Sequence, residues 1–107
     1  MIYAASLVGG RWKLVIINQL QTGSMRFSAL RRQMPAITER MLTLQLRELE
    51  ADGLVTRTVF AEVPPRVEYA LTRSGTELLP IWLQLHDWGG RHRALREQEV
   101  EQVAADQ

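Results

Sequence analysis

A mainly α-helical chain carrying one small β-ribbon is the fold class predicted by this 107-residue sequence. Three observations predict it. Two helical stretches, residues 28–34 and 38–52, are separated by Pro35-Ala36-Ile37, which is helix-turn-helix spacing. Two stretches rich in β-branched residues, 55–61 and 66–71, follow at once, four residues apart. A last stretch repeats apolar residues every three or four positions. In that order the elements make a winged helix-turn-helix, an α+β arrangement, with terminal helices added.

Each element has a local reason. Residues 2–8 are apolar and fit one or two helical turns before Gly9-Gly10 breaks them off. Trp12–Leu20 is apolar enough to be a buried helix, which Gly23 ends. Residues 25–27 read as extended. Ser28 is placed to cap a short helix that reaches Met34 and stops at Pro35. Thr38 caps a longer helix running to about Asp52, with Gly53 beyond its end. In the second β stretch, Val67, Tyr69 and Leu71 alternate with Arg66, Glu68 and Ala70, as in a half-buried strand. Pro64-Pro65 lie between the strands, where their missing N–H groups cost the ladder nothing. The last helix begins near Thr72 or Ser74, and Ser74-Gly75-Thr76-Glu77 matches a capping box. Pro80 should bend it, and the polar tail after Gln98 should fray. The expected organisation is one domain, 1–107, with the second helix of the helix-turn-helix at 38–52, a wing hairpin at 54–71 and a last long helix at 72–97.

Composition narrows the function classes. The net charge is +1, unevenly spread: residues 11–73 hold ten Lys/Arg against six Asp/Glu, and residues 74–107 hold three against six. A basic body with an acidic tail favours a polyanionic partner for the body. Cysteine is absent, which excludes disulfides, thiol chemistry and cysteine-ligated zinc in these residues. No paired carboxylates, nucleophile–base set or glycine-rich phosphate loop suggests an enzyme, and no cofactor is expected. His86 and His92 sit about 120° apart around one helix and cannot chelate one metal ion together. Leu14–Ile17 is too short an apolar run for a membrane span, so a cytoplasmic, nucleoid-associated protein is expected.

The 38–52 helix has two distinct faces. Leu42, Leu46 and Leu49 form a core stripe, and the opposite face carries Arg40, Thr43, Leu44 and Arg47. Such a face suits the major groove: arginine can donate twice to guanine, threonine can bond a base edge or phosphate, and leucine can touch a thymine methyl. The competing reading pairs Arg40 and Arg47 with Glu39, Glu48 or Glu50 on a solvated helix. Arg26, Arg31 and Arg32 are placed for phosphates.

These residues carry a family resemblance. Gly9-Gly10-Arg11-Trp12, Arg26-Phe27-Ser28, Ile37-Thr38 with Arg40-Met41-Leu42-Thr43, Asp52-Gly53-Leu54-Val55, Val63–Tyr69 and Asp87-Trp88-Gly89 together resemble the HxlR family of bacterial winged-helix regulators. The resemblance implies a homodimeric, sequence-specific DNA-binding transcription regulator whose partners are a pseudo-palindromic double-stranded operator and its own second copy. It implies a DNA surface of Arg26, Ser28, Arg31, Arg32, Thr38, Arg40, Thr43, Leu44, Arg47, Pro65 and Arg66, with the wing at 61–67. It places dimerisation on the terminal helices, through Ile2, Tyr3, Leu7, Leu78, Trp82, Leu85, Trp88 and His92. Some relatives sense oxidants through a cysteine, which this chain lacks. Two rivals stay open: a protein-interaction module without DNA readout, suggested by Leu44, and a repressor responding to a small-molecule effector bound near Trp82 and Trp88.

Overall fold

The computed structural model describes residues 2–106. Its elements run α1 (Ile2–Val8), α2 (Lys13–Gln19), β1 (Met25–Arg26), α3 (Phe27–Gln33), α4 (Glu39–Ala51), β2 (Val55–Phe60), β3 (Arg66–Leu71) and α5 (Arg73–Asp106). The core is a single cluster. Ile16, Ile17 and Leu20 from α2 and its end meet Leu30, Met34 and Ile37 from the first half of the helix-turn-helix. Leu42, Leu46 and Leu49 from α4 close on them, with Leu54, Val55 and Tyr69 from the sheet. The α4 stripe is fully buried as its spacing predicts, and each such leucine contributes about 1.5–3 kcal/mol by burial.

The ends of α4 are built as expected. Thr38 is extended, and its Oγ1 accepts a hydrogen bond from the Met41 N–H at 3.1 Å. Past the other end Gly53 takes φ +75°, a conformation that costs other residues a Cβ clash. A second anchor comes from α2: buried Lys13 reaches Glu48 on α4, with Nζ 2.8 Å from Oε2.

Several expectations are corrected. The sheet has three strands, antiparallel in the order β1-β3-β2, where the sequence suggested a two-stranded ribbon. Met25 pairs with Tyr69 and Arg26 with Glu68, so two residues before α3 supply the third strand. A strand this short has no periodicity to detect. Ser28 is not a cap: α3 begins at Phe27, and the extended residue before it is Arg26. β2 ends at Phe60, one residue short of the expected boundary.

The start of α5 is set by Thr72 in place of the Ser74 capping box. Thr72 Oγ1 accepts from the Gly75 N–H at 3.1 Å and donates to the Gly53 carbonyl at 2.7 Å. One hydroxyl thus caps α5 and ties it to the turn that follows α4. Gly75 is buried here, and only glycine fits, because a Cβ would overlap the Leu54 carbonyl oxygen. The helix continues through Pro80 and Gly89-Gly90, and it extends to Asp106 where fraying was expected after Gln98. Side-chain links three and four residues apart, Arg96 to Glu99 and Gln102 to Asp106, support this last part.

Candidate nucleic-acid interface

On the outer face of α4, Arg40, Leu44 and Arg47 are exposed and Thr43 is half-buried. Arg40, Thr43, Leu44 and Arg47 line one open hollow with Thr38, Glu39 and Met41. Leu44 is 46% exposed, an apolar side chain turned away from the core. The rival account of the two arginines fails on geometry. Glu48 is engaged by Lys13, and among the described residues neither Arg40 nor Arg47 forms an ion pair. Thr43 is less free: its hydroxyl donates to the Glu39 carbonyl at 3.0 Å, leaving its lone pairs and methyl outward.

A second patch forms where the start of α3 meets the wing. Arg26, Phe27, Ser28, Pro65 and Arg66 line one hollow with residues 62–64. The strand β1 brings this about, because its pairing with β3 sets Arg26 directly opposite Glu68. Arg32 is exposed on α3 and Arg31 half-buried, and among the described residues neither forms an ion pair.

Arg66 behaves differently from the other arginines of this surface. Its Nη2 lies 3.2 Å from Glu62 Oε1, and its Nε lies 3.2 Å from Glu68 Oε2. The second contact is one of charge, off the line of a hydrogen bond, since Nε has no hydrogen-bond partner among the described residues. The guanidinium also stacks 4.1 Å over the Phe60 ring. Glu68 in turn accepts from the Ser24 hydroxyl at 3.0 Å. Arg66 therefore fastens the base of the wing to itself and, through Glu68, to the segment before β1. The Val63-Pro64 peptide bond is cis, at the tip of this loop.

One basic residue was missed. Arg57 on β2 lines a cleft with Thr43, Arg47, Glu50 and Tyr69, between α4 and the sheet. It stands opposite Tyr69 in the β2–β3 register, on the sheet face that looks toward α4. The sequence of β2 alternates poorly, so only the register reveals which face Arg57 occupies.

The terminal helices carry the exposed apolar surface. Ile2, Tyr3, Leu85, Trp88 and Leu95 are all exposed, Trp88 by 54%. The residues expected on these helices differ in exposure. Ile81 is exposed and lies in line with Leu85, Trp88, His92 and Leu95, whereas Trp82 is half-buried about 100° away around the helix. Trp82 instead lines a hollow with Asn18, Gln21, Leu79, Pro80 and Leu83 against α2, and Trp88 takes no part in it. Leu7 and Leu78 are partly buried and pack against the core. His86 and His92 each stack on the tryptophan one turn earlier, at 4.9 and 5.3 Å between ring centroids. No helix among the described residues is long and apolar enough to cross a membrane.

Comparison with known proteins agrees with this geometry. The family model described as "HxlR-like helix-turn-helix" matches residues 7–97. The uncharacterized HTH-type transcriptional regulator YybR of Bacillus subtilis is 50% identical over 95 residues, covering 89% of this chain and 76% of YybR. An HTH-type transcriptional regulator of Methanothermobacter thermautotrophicus is 46% identical over 100 residues, covering 94% of this chain and 76% of its own. The solved structure of the redox regulator HypR in its reduced form is similar at a TM-score of 0.83 with 48% identity, covering 91% of this chain and 96% of that one. The chain thus belongs to the HxlR-like helix-turn-helix family and is a DNA-binding transcriptional regulator with a winged-helix fold.

Proposed function

We propose that the protein acts as a homodimer on a pseudo-palindromic operator, with α4 of each subunit in successive major grooves and the wings on flanking backbone or minor groove. The observation that carries this reading is the outer face of α4, which presents Arg40 and Arg47, without acidic partners among the described residues, beside half-buried Thr43 and exposed Leu44. Arg40 and Arg47 read base edges, Leu44 meets a thymine methyl, and Thr38 orients the helix start. Arg26, Arg31 and Arg32 take phosphates, with Ser28 and Pro65 alongside. Arg66 serves mainly to hold the wing in shape. The exposed seam Ile81, Leu85, Trp88, His92 and Leu95 joins the two copies, with Ile2 and Tyr3 covering its edge. The whole chain works as one domain: the recognition helix, the wing and the proximal part of α5 share a single core.

Selection of bound duplexes from random DNA tests the reading. It predicts two half-sites related by dyad symmetry, about one helical turn apart. Recovery of no enriched sequence would refute it. Light scattering supplies a separate check, since a monomer at micromolar concentration would refute the α5 seam.

The hollow around Trp82 supports one addition, a small-molecule effector wedged between α2 and α5. Quenching of tryptophan emission by such a compound, lost in Trp82→Phe, is the expected sign. The exposed Leu44 is equally open to a protein partner, and salt-insensitive capture of one protein without DNA binding would favour that alternative.

A further inference from the structure

The cleft between α4 and the sheet has no role in the surface described so far. Its walls are Thr43, Arg47 and Glu50 from the helix and Arg57 from β2, with nearly buried Tyr69 below. Among the described residues, Arg47 and Arg57 form no ion pair, and neither does Glu50. Two guanidinium groups from different elements therefore face one concave site with a single carboxylate, Glu50, and none of the three forms an ion pair among the described residues. Arg57 cannot follow α4 into a groove, because it is fixed to the sheet opposite Tyr69 in the β2–β3 register.

The position suggests the ligand. A helix in the major groove and a wing on flanking DNA are separated by the sugar–phosphate strand that borders the groove. The cleft lies between those two elements and offers the planar donor forks that fit a phosphate. We propose that Arg57, with Arg47 across the cleft, holds one backbone phosphate and so fixes how deeply α4 seats in the groove. The proposal rests on the docking given above. Arg57 is thus a positioning contact common to all sequences, while Arg47 serves both the phosphate and the adjoining base edge. Glu50 lies at the same cleft and opposes the phosphate, which limits binding to unselected DNA.

Affinity measured against salt, on a duplex selected by the wild-type protein and on a scrambled duplex, tests this. Each phosphate contact contributes about 0.9 to the log–log slope, so Arg57→Gln should lower the slope by about 0.9 per bound subunit. At about 0.1 M salt this amounts to roughly an eightfold loss per subunit, equal on both duplexes. Arg57→Lys should restore the slope, and Glu50→Gln should strengthen binding to both duplexes several-fold. An unchanged slope in Arg57→Gln overturns the proposal, as does a loss confined to the selected duplex, which would make Arg57 a base reader. Unchanged affinity in Glu50→Gln overturns it independently, even if Arg57→Gln fails to fold. A wild-type protein with no salt-dependent binding to either duplex would instead remove the docking itself.

Discussion

The two arginines of α4 and three of the four on α5, all but Arg91, live in opposite circumstances. On α5, Arg73, Arg93 and Arg96 each have an acid three or four residues on, at 3.8, 3.9 and 3.0 Å. On α4, Arg40 and Arg47 have none among the described residues, although Glu39, Glu48 and Glu50 share the helix. The difference follows from placement. Glu48 is turned inward to Lys13, and Glu39 lies in the first turn, where a carboxylate favours the positive end of the helix dipole. The paired arginines of α5 are exposed and neutralised locally, and their pairs are worth little to stability. Charge left unpaired on a folded surface is the more informative feature, because it is available to a partner.

The comparison can be broken most severely through the core that positions α4. Leu46→Ala should cost about 2–5 kcal/mol in urea denaturation, enough to remove DNA binding along with the fold. Trp88→Ala should leave the monomer folded but weaken dimerisation by about 2 kcal/mol, read by sedimentation. Arg47→Ala should cost roughly 1–3 kcal/mol of operator binding and relax the preference at one base pair, with thermal stability nearly unchanged. Thr38→Ala removes the α4 cap and should lower stability by about 1 kcal/mol in the same denaturation assay. Arg96→Ala sharpens the contrast from the other side. It should change stability by no more than about 0.5 kcal/mol and leave DNA affinity where it was.

Much of the molecule was legible from its sequence, and the lapses share a cause. Spacing alone located the core face of α4, because Leu42, Leu46 and Leu49 report a period that survives any tertiary context. Thr38 and Gly53 marked its ends, since each has a local chemical reason to be there. What stayed hidden depends on partners distant in sequence. The strand at Met25-Arg26 exists only through β3. The face occupied by Arg57 follows from a register, and the turning of Trp82 toward Asn18 and Gln21 follows from how α5 leans on α2. Thr72 could have been chosen over Ser74 as the cap only by knowing that the Gly53 carbonyl lies within its reach.

The two-residue strand β1 has a mechanical consequence. By hydrogen-bonding to β3 just before α3 begins, it rivets the wing to the helix-turn-helix. The Ser24–Glu68–Arg66 chain adds a second rivet beside it. The wing and the helix-turn-helix are thereby tied into one DNA-reading head. In the proposed dimer joined along α5, that helix sets the separation of the two heads. A compound lodged at Trp82 would act on that distance like a shim under a joint, detuning the pair of heads from its operator without touching either reading surface.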